Sequence, residues 1–184
     1  MKVKLNNVRL AFPELFEAKD YKGDGKFKFS ATFLIAKAHT ALIADIEAAI
    51  QKVANEKWGA KAEAVLKSIR GNSNKFCFRD GEEKPDYDGY DGHMFIKASN
   101  KARPRIVDRD NTPLISADGR PYSGCYVNAI ITIFAYDTEG LKGISASLGG
   151  VQFLRDGDAF AGGGVASEDD FDNIEEGTDA GEFV

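Results

Sequence analysis

The chain predicts a mainly β fold with an inserted helix, built as an antiparallel barrel or sandwich. Two patterns carry this. Apolar residues alternate with polar ones at the period of a half-buried strand through most of the chain, and they recur at helical spacing in only one stretch. The alternating segments are separated by turns rich in Gly and Asp rather than by the helices that a parallel sheet requires, so strands in series are favoured over βαβ units.

The elements follow in order. Residues 2–11 and 26–35 alternate; in the second, Phe27, Phe29, Ala31 and Phe33 are expected to point inward while Lys26, Lys28, Ser30 and Thr32 point away. Between them KDYKGDGKF gathers Gly, Asp and Lys, as a flexible hairpin loop does. Thr40 is the expected N-cap of a helix in which Leu42, Ile46, Ala49, Ile50 and Val53 share a face. Ala62, Val65, Leu66 and Ile69 continue the pattern to Gly71, with a hinge at Trp58 and Gly59 and with Trp58 at the helix–barrel contact. Strands are then expected at 75–79, 93–99, 103–107, 124–137 and 142–154, divided by turn-rich segments such as DGEEKPDYDGYDG. Gly162, Gly163 and Gly164 mark a hinge, so the chain divides into a folded domain at 1–161 and a hinge with a disordered acidic tail at 162–184.

Charge separates the same two parts. Residues 167–184 read SEDDFDNIEEGTDAGEFV, with eight acids and no Lys or Arg; against the 21 acids that remain, the 24 Lys and Arg leave 1–166 at net +3 although the whole chain is −5. An acidic block with little to bury cannot offset its ordering entropy and serves as an interaction tail. At ~5–6 Å × √18, its span of roughly 21–25 Å exceeds the ~15 Å radius of gyration of its own body, so the tip can reach a groove on its own domain. The longest apolar run, 129–135, is too short to cross a bilayer, and nothing at the start resembles a leader, so a cytoplasmic protein that makes no membrane contact is expected. Cys77 and Cys125 lie far apart and form neither a CxxC pair nor a metal-spaced cluster, so they are expected as free thiols.

On 124–136 one face is wholly apolar, from Cys125 through Val127, Ala129, Ile131 and Ile133 to Ala135, while Tyr126, Asn128, Ile130, Thr132, Phe134 and Tyr136 occupy the other. The segment 93–99 splits likewise, with Met94, Ile96 and Ala98 opposite His93, Phe95, Lys97 and Ser99. Lys101, Arg103, Arg105 and Arg109 follow, and Lys75 and Arg79 flank Cys77. On adjacent strands these residues would form a basic groove bearing rings, the composition that suits single-stranded nucleic acid, because cations track phosphates and rings stack on unpaired bases. The competing reading of each ring is burial, Phe76, Phe78 and Phe134 included, and of each cation an ordinary solvated face.

Two other classes compete with this reading. A metal-dependent nuclease would use Asp86, Asp88, Asp91, Asp108 and Asp110, but their spacing misses the EF-hand pattern and Asp-Gly pairs are common turn formers. With no P-loop, no G-x-S-x-G and only the isolated His39 and His93, the chain lacks a nucleophile, so no enzyme, cofactor or metal is expected. A protein that mimics DNA through its acidic stretch is opposed by the positive body.

Several ordered motifs then add a resemblance. RPRIVD at 103–108, PYSGCYVNA at 121–129, KGISASLGGVQF at 142–153 and GDAFAGGG before the acidic end together resemble a bacteriophage family of single-stranded DNA-binding proteins, over most of the chain from about Arg9 to the glycine hinge. The resemblance implies an OB-fold, sequence-independent binding that protects single-stranded DNA in replication and recombination in the host cytoplasm, and an acidic tail that recruits replication or recombination proteins and competes with DNA. On this reading Arg79, Lys97, Lys101, Arg103 and Arg105 meet phosphates and Phe95, Tyr122 and Tyr126 stack on bases, with Asp169, Asp170, Phe171, Asp172, Glu175, Glu176, Glu182 and Phe183 as the partner-binding tail. The oligomeric state stays open, a homodimer included.

Overall fold

In the computed structural model, which describes residues 1–160, a long strand β1 (Lys2–Lys19) turns back into β2 (Lys28–Ala36). The helical segment follows as α1 (Thr40–Trp58) and α2 (Ala62–Ile69), joined by a 3-10 turn, and then come β3 (Phe78–Asp80), β4 (His93–Asn100), β5 (Arg105–Val107), β6 (Tyr126–Thr138) and β7 (Leu141–Arg155). The expected hinge and tail at 162–184, and Ala161, lie outside the described residues.

Hydrogen bonds run from strand to strand in a closed circuit, β1 to β2 to β4 to β7 to β6 and back to β1. Every pairing in this circuit is antiparallel except β4 with β7, which run parallel at Ser99 and Ser147. Residues 75–77 wedge into that seam: Cys77 N–H donates to the Ile144 carbonyl at 3.1 Å, Ile144 N–H to the Lys75 carbonyl at 2.8 Å, and Lys97 N–H to the Cys77 carbonyl at 3.1 Å. A five-stranded barrel with this order is the OB-fold, which abolishes free sheet edges by closure. The short strands β3 and β5 flank it on β4 and β7.

The helix is one apolar stripe bent at Gly59, whose φ of 56° suits glycine, and it lies between the second and third barrel strands. α1 packs on β6 and β1, and α2 on β7, so Ile46, Ile50, Trp58, Leu66 and Ile69 join the barrel interior in one continuous core. The helix starts at Thr40 itself; His39 holds the cap position and makes no side-chain cap.

On β6 the expected faces are the observed ones: Val127, Ala129, Ile131 and Ile133 are fully buried while Thr132 and Phe134 face out. On β2, Ala31 and Phe33 point inward as expected, but Phe27 lies before the strand and is exposed, and Thr32 on the outward face is buried. The cause is a second apolar cluster, Ala11, Leu34, Tyr90 and Phe95, which covers the outside of the barrel at this point. Thr32 hydrogen-bonds the Tyr90 hydroxyl there. β1 outruns its expected end because two bulges, at Asn7 and Phe12, let it bend around the barrel; both residues have positive φ.

The turn that carries Tyr90 leaves no space beside Gly81, where a Cβ would collide with the Tyr90 and His93 carbonyl oxygens. Gly81→Ala is therefore expected to cost about 1–3 kcal/mol or more, because the obstacle is backbone and cannot swing aside. Urea denaturation checks this, and an unchanged midpoint would contradict the packing described.

Candidate nucleic-acid interface

The outer faces of β2 and β4, the β1–β2 loop and the 73–77 segment enclose an open groove of about 770 Å3. Six lysines line it, Lys19, Lys22, Lys26, Lys28, Lys84 and Lys97, against two acids, Asp20 and Asp24, and no arginine. The alternation of β2 sends Lys28, Ser30 and Thr32 to this face, and that of β4 sends Lys97 and Ser99. Small side chains, Ser30, Ser99 and Ser145, keep the floor open.

The loop lysines are positioned by Asp20. Its carboxylate accepts from the backbone N–H groups of Lys22 at 3.2 Å, Asp24 at 3.3 Å and Gly25 at 2.8 Å, and the Gly25 bond leads in holding this carboxyl below the usual aspartate range. Asp20 thereby ties the loop into one shape, and Asp24 caps Lys26 N–H at 3.0 Å. Lys19 pairs with Glu14 at 3.2 Å, but among the described residues no carboxylate lies within ion-pair distance of Lys22, Lys26, Lys28, Lys84 or Lys97. Desolvation, then the charges of Lys84 and Arg79, hold the Lys97 ammonium below the ordinary lysine value. The groove is a site of uncompensated positive charge.

At one end stands a ladder of rings. Phe95 (1% exposed) packs on Tyr90 (2%) at 5.1 Å, Tyr90 on Tyr87 (46%) at 5.4 Å, and Tyr87 on Phe12 (55%) at 5.3 Å. Burial pushes the Tyr90 hydroxyl up to about 12. The two outer rings are half-exposed beside the lysines, with the Lys84 ammonium 5.7 Å from the centre of the Tyr87 ring. Phe12 is turned out by the bulge at a φ of 47°, an unusual conformation for a bulky residue. Across the groove the tip of the Tyr136 ring occupies the space that a Cβ on Gly143 would take.

The sequence-derived residues fall in several places. Lys97 stands in the groove. Phe95 lies beneath Tyr90 and supports the ladder, so its face is closed to a base. Arg79 is buried, its guanidinium held by Glu83 at 2.7 Å and by the Arg70 carbonyl at 2.9 Å, which removes it from phosphate contact. Lys101, Arg103 and Arg105 are exposed but do not line the groove; Arg103 donates to the Phe16 carbonyl at 3.0 Å.

Tyr122 and Tyr126 are taken up by a strap, 156–160, that follows β7. The Tyr122 hydroxyl donates to Asp156 at 2.7 Å, and Tyr126 is flanked by Arg155 at 3.8 Å and Arg9 at 5.6 Å. Arg9 also donates to the Gly124 and Asp158 carbonyls and covers Phe160 at 4.3 Å. Phe160 itself packs against the Tyr90 cluster. The tail residues Asp169, Asp170, Phe171, Asp172, Glu175, Glu176, Glu182 and Phe183 lie outside the described residues.

The carboxylates that a nuclease would need are dispersed. Asp108 is held by Arg120 at 2.6 Å, Asp110 accepts from Thr112 N–H, and among the described residues no group of three or more His, Cys, Asp or Glu could hold a metal. Cys77 and Cys125 are free, as expected, and burial pushes the Cys77 thiol up to about 12.

Residue-by-residue reading missed Phe12, Tyr21, Tyr87 and the loop lysines. The signal was in KDYKGDGKFK, where Lys and rings interleave, and in the Phe12-Pro13 break of an otherwise alternating strand.

A closed five-strand barrel with an open cationic groove on its second and third strands defines an OB-fold protein, the class that uses this face and the first hairpin loop to hold oligonucleotides and oligosaccharides. The chain belongs to the family described as the ssDNA-binding protein of Enterobacter phage Enc34, whose model matches residues 1–184. It is 58% identical over 175 residues, 95% of this chain and 94% of the relative, to putative protein p50 of Acyrthosiphon pisum secondary endosymbiont phage 1. The fold matches the single-stranded DNA-binding protein of bacteriophage Enc34 solved in complex with ssDNA, with a TM-score of 0.74 and 23% identity over 86% of this chain and 88% of that one. It also matches gp2.5, the single-stranded DNA-binding protein of bacteriophage T7, with a TM-score of 0.52 and 18% identity over 96% and 97% of the two chains.

Phe12→Gly separates stability from binding. Glycine relieves the left-handed backbone, and the ring is half-exposed, so unfolding should shift by no more than about 1 kcal/mol. Losing one stacking surface should weaken oligo-dT binding by about 1–3 kcal/mol. Unchanged affinity in a fluorescence-anisotropy titration would remove Phe12 from the interface.

Proposed function

We propose that this protein binds single-stranded DNA without chemistry and largely without regard to sequence, protecting it in phage replication or recombination inside the host cell. The observation that carries this is the groove itself: six lysines with almost no acidic partners beside two outward rings. A polyanion relieves the charge, and the rings require bases that are not already stacked in a duplex. The OB groove is in the place from which such proteins hold oligonucleotides.

The acidic tail is proposed to recruit protein partners and to contend for the same groove. Support comes from the strap: Phe160 sits on the Tyr90 cluster at the ring-bearing end of the groove, and the eight acids of 167–184 follow it in the sequence. Among the described residues no helix is long and apolar enough to cross a membrane.

Anisotropy with matched single- and double-stranded oligonucleotides in dilute salt tests the reading; tighter binding to the unpaired strand is expected, and equal or absent binding would contradict it. Deleting 167–184 should tighten oligo-dT binding below ~50 mM salt, where electrostatics are least screened, and unchanged affinity would reject tail competition.

Lys97 adds a pH dependence. Because its ammonium is already held below the ordinary lysine value and phosphate binds only the charged form, affinity should fall as pH rises through that lowered value, with a proton taken up on binding. Lys97→Arg should abolish this step, and an identical pH profile would show that Lys97 does not meet phosphate.

A further inference from the structure

Behind Phe12 lies a second pocket of about 330 Å3 that continues the groove, since Phe12, Tyr87 and Tyr90 line both. We propose that this pocket is a nucleobase subsite that favours bases bearing an amino group on their pairing edge, cytosine foremost, and so gives an otherwise indifferent groove a base preference. The inference rests on the single-strand-binding function proposed above.

The pocket differs from the groove in charge. It holds no lysine; its polar lining is Glu14, Asp88 and Ser123, and its apolar walls include Phe12, Tyr87 and Phe160. With no cation in its lining the pocket offers phosphate no counter-charge, so the part of a DNA strand able to enter beside the lysine groove is the uncharged base. Its volume is that of a small-ligand site, and the rings offer a base the stacking surface it loses on leaving its neighbours.

Carboxylates only accept hydrogen bonds. The N4 amino group of cytosine donates to such an acceptor, which is the usual pairing of Asp or Glu with cytosine, whereas uracil and thymine present the O4 oxygen at that place. Glu14 is fixed for this role. One of its oxygens takes the Tyr21 hydroxyl at 2.6 Å and the other faces Lys19 at 3.2 Å, which orients the carboxylate and leaves lone pairs for a further donor. The strap closes the far wall, since Phe160 N–H donates to the Ser123 carbonyl at 3.1 Å and its ring lies where a Cβ on Gly89 would stand.

Anisotropy with oligo-dC and oligo-dU of about 15 nucleotides, a length within the range of one OB-fold site, tests this. These strands differ in the amino-for-keto exchange. Wild-type protein is expected to bind oligo-dC about 3- to 10-fold more tightly, in keeping with one direct base contact. Ser123→Leu, which fills the pocket without touching the groove, should abolish that preference while leaving oligo-dU affinity unchanged. Equal binding of the two strands by wild type, or a preference that survives Ser123→Leu, would overturn the subsite. Failure to bind either strand would overturn the single-strand-binding function instead.

Discussion

Lysine ammoniums gathered on one side of a small barrel repel one another, and that repulsion shapes the molecule. Two unit charges about 7 Å apart repel by about 0.6 kcal/mol in bulk water and about 2 kcal/mol at an effective dielectric of 20. In the groove only Lys19 has an ion-pair partner among the described residues, and Lys97, partly desolvated next to Lys84 and Arg79, carries the strain in its lowered affinity for a proton. A scaffold must hold these groups where a phosphodiester chain can collect them. The closed barrel does so, because its seam between β4 and β7 is locked by 75–77 and none of the five strands can slide without breaking the circuit.

The ring ladder obeys the same logic of rigid support. Tyr90 and Phe95 are almost wholly buried outside the barrel wall, yet they fix Tyr87 and Phe12, which are half-exposed. Aromatic residues that look interchangeable in sequence thus divide into supporting and presenting rings. The strap adds a third part: Arg9, Tyr122, Tyr126 and Arg155 spend their hydrogen bonds and cation–π contacts in seating Phe160 against the ladder. The place of Phe160 is therefore set by the barrel.

The barrel was legible in the sequence because period-two alternation reports burial directly, and β6 shows it with Val127, Ala129, Ile131 and Ile133 on one face. The helix hinge at Gly59 was legible because apolar residues at helical spacing lie on either side of it, up to Val53 and again from Ala62. The faces of β2 and β4 were not, since Thr32 and Phe95 are buried on the outside by Tyr90, a residue from a turn whose Gly and Asp content reveals nothing of what it covers. The partners of Arg79, Tyr122 and Tyr126 were hidden for a related reason. Clustering of charge along the chain does not show whether an arginine is already satisfied, as Arg79 is by Glu83 and the Arg70 carbonyl. The direction of Lys97 was legible because both its neighbours on β4 and its strand partner Thr32 fix it.

The most direct test compares two charge-neutralised proteins. In the first, Lys26, Lys28 and Lys97 in the groove become Gln; in the second, Lys101, Arg103 and Arg105 outside it do. The slope of log affinity for oligo-dT against log salt should flatten by about 0.7 for each phosphate that is no longer neutralised. The account predicts a flattened slope for the groove variant and a slope near that of the unaltered protein for the other; the reverse result would contradict it.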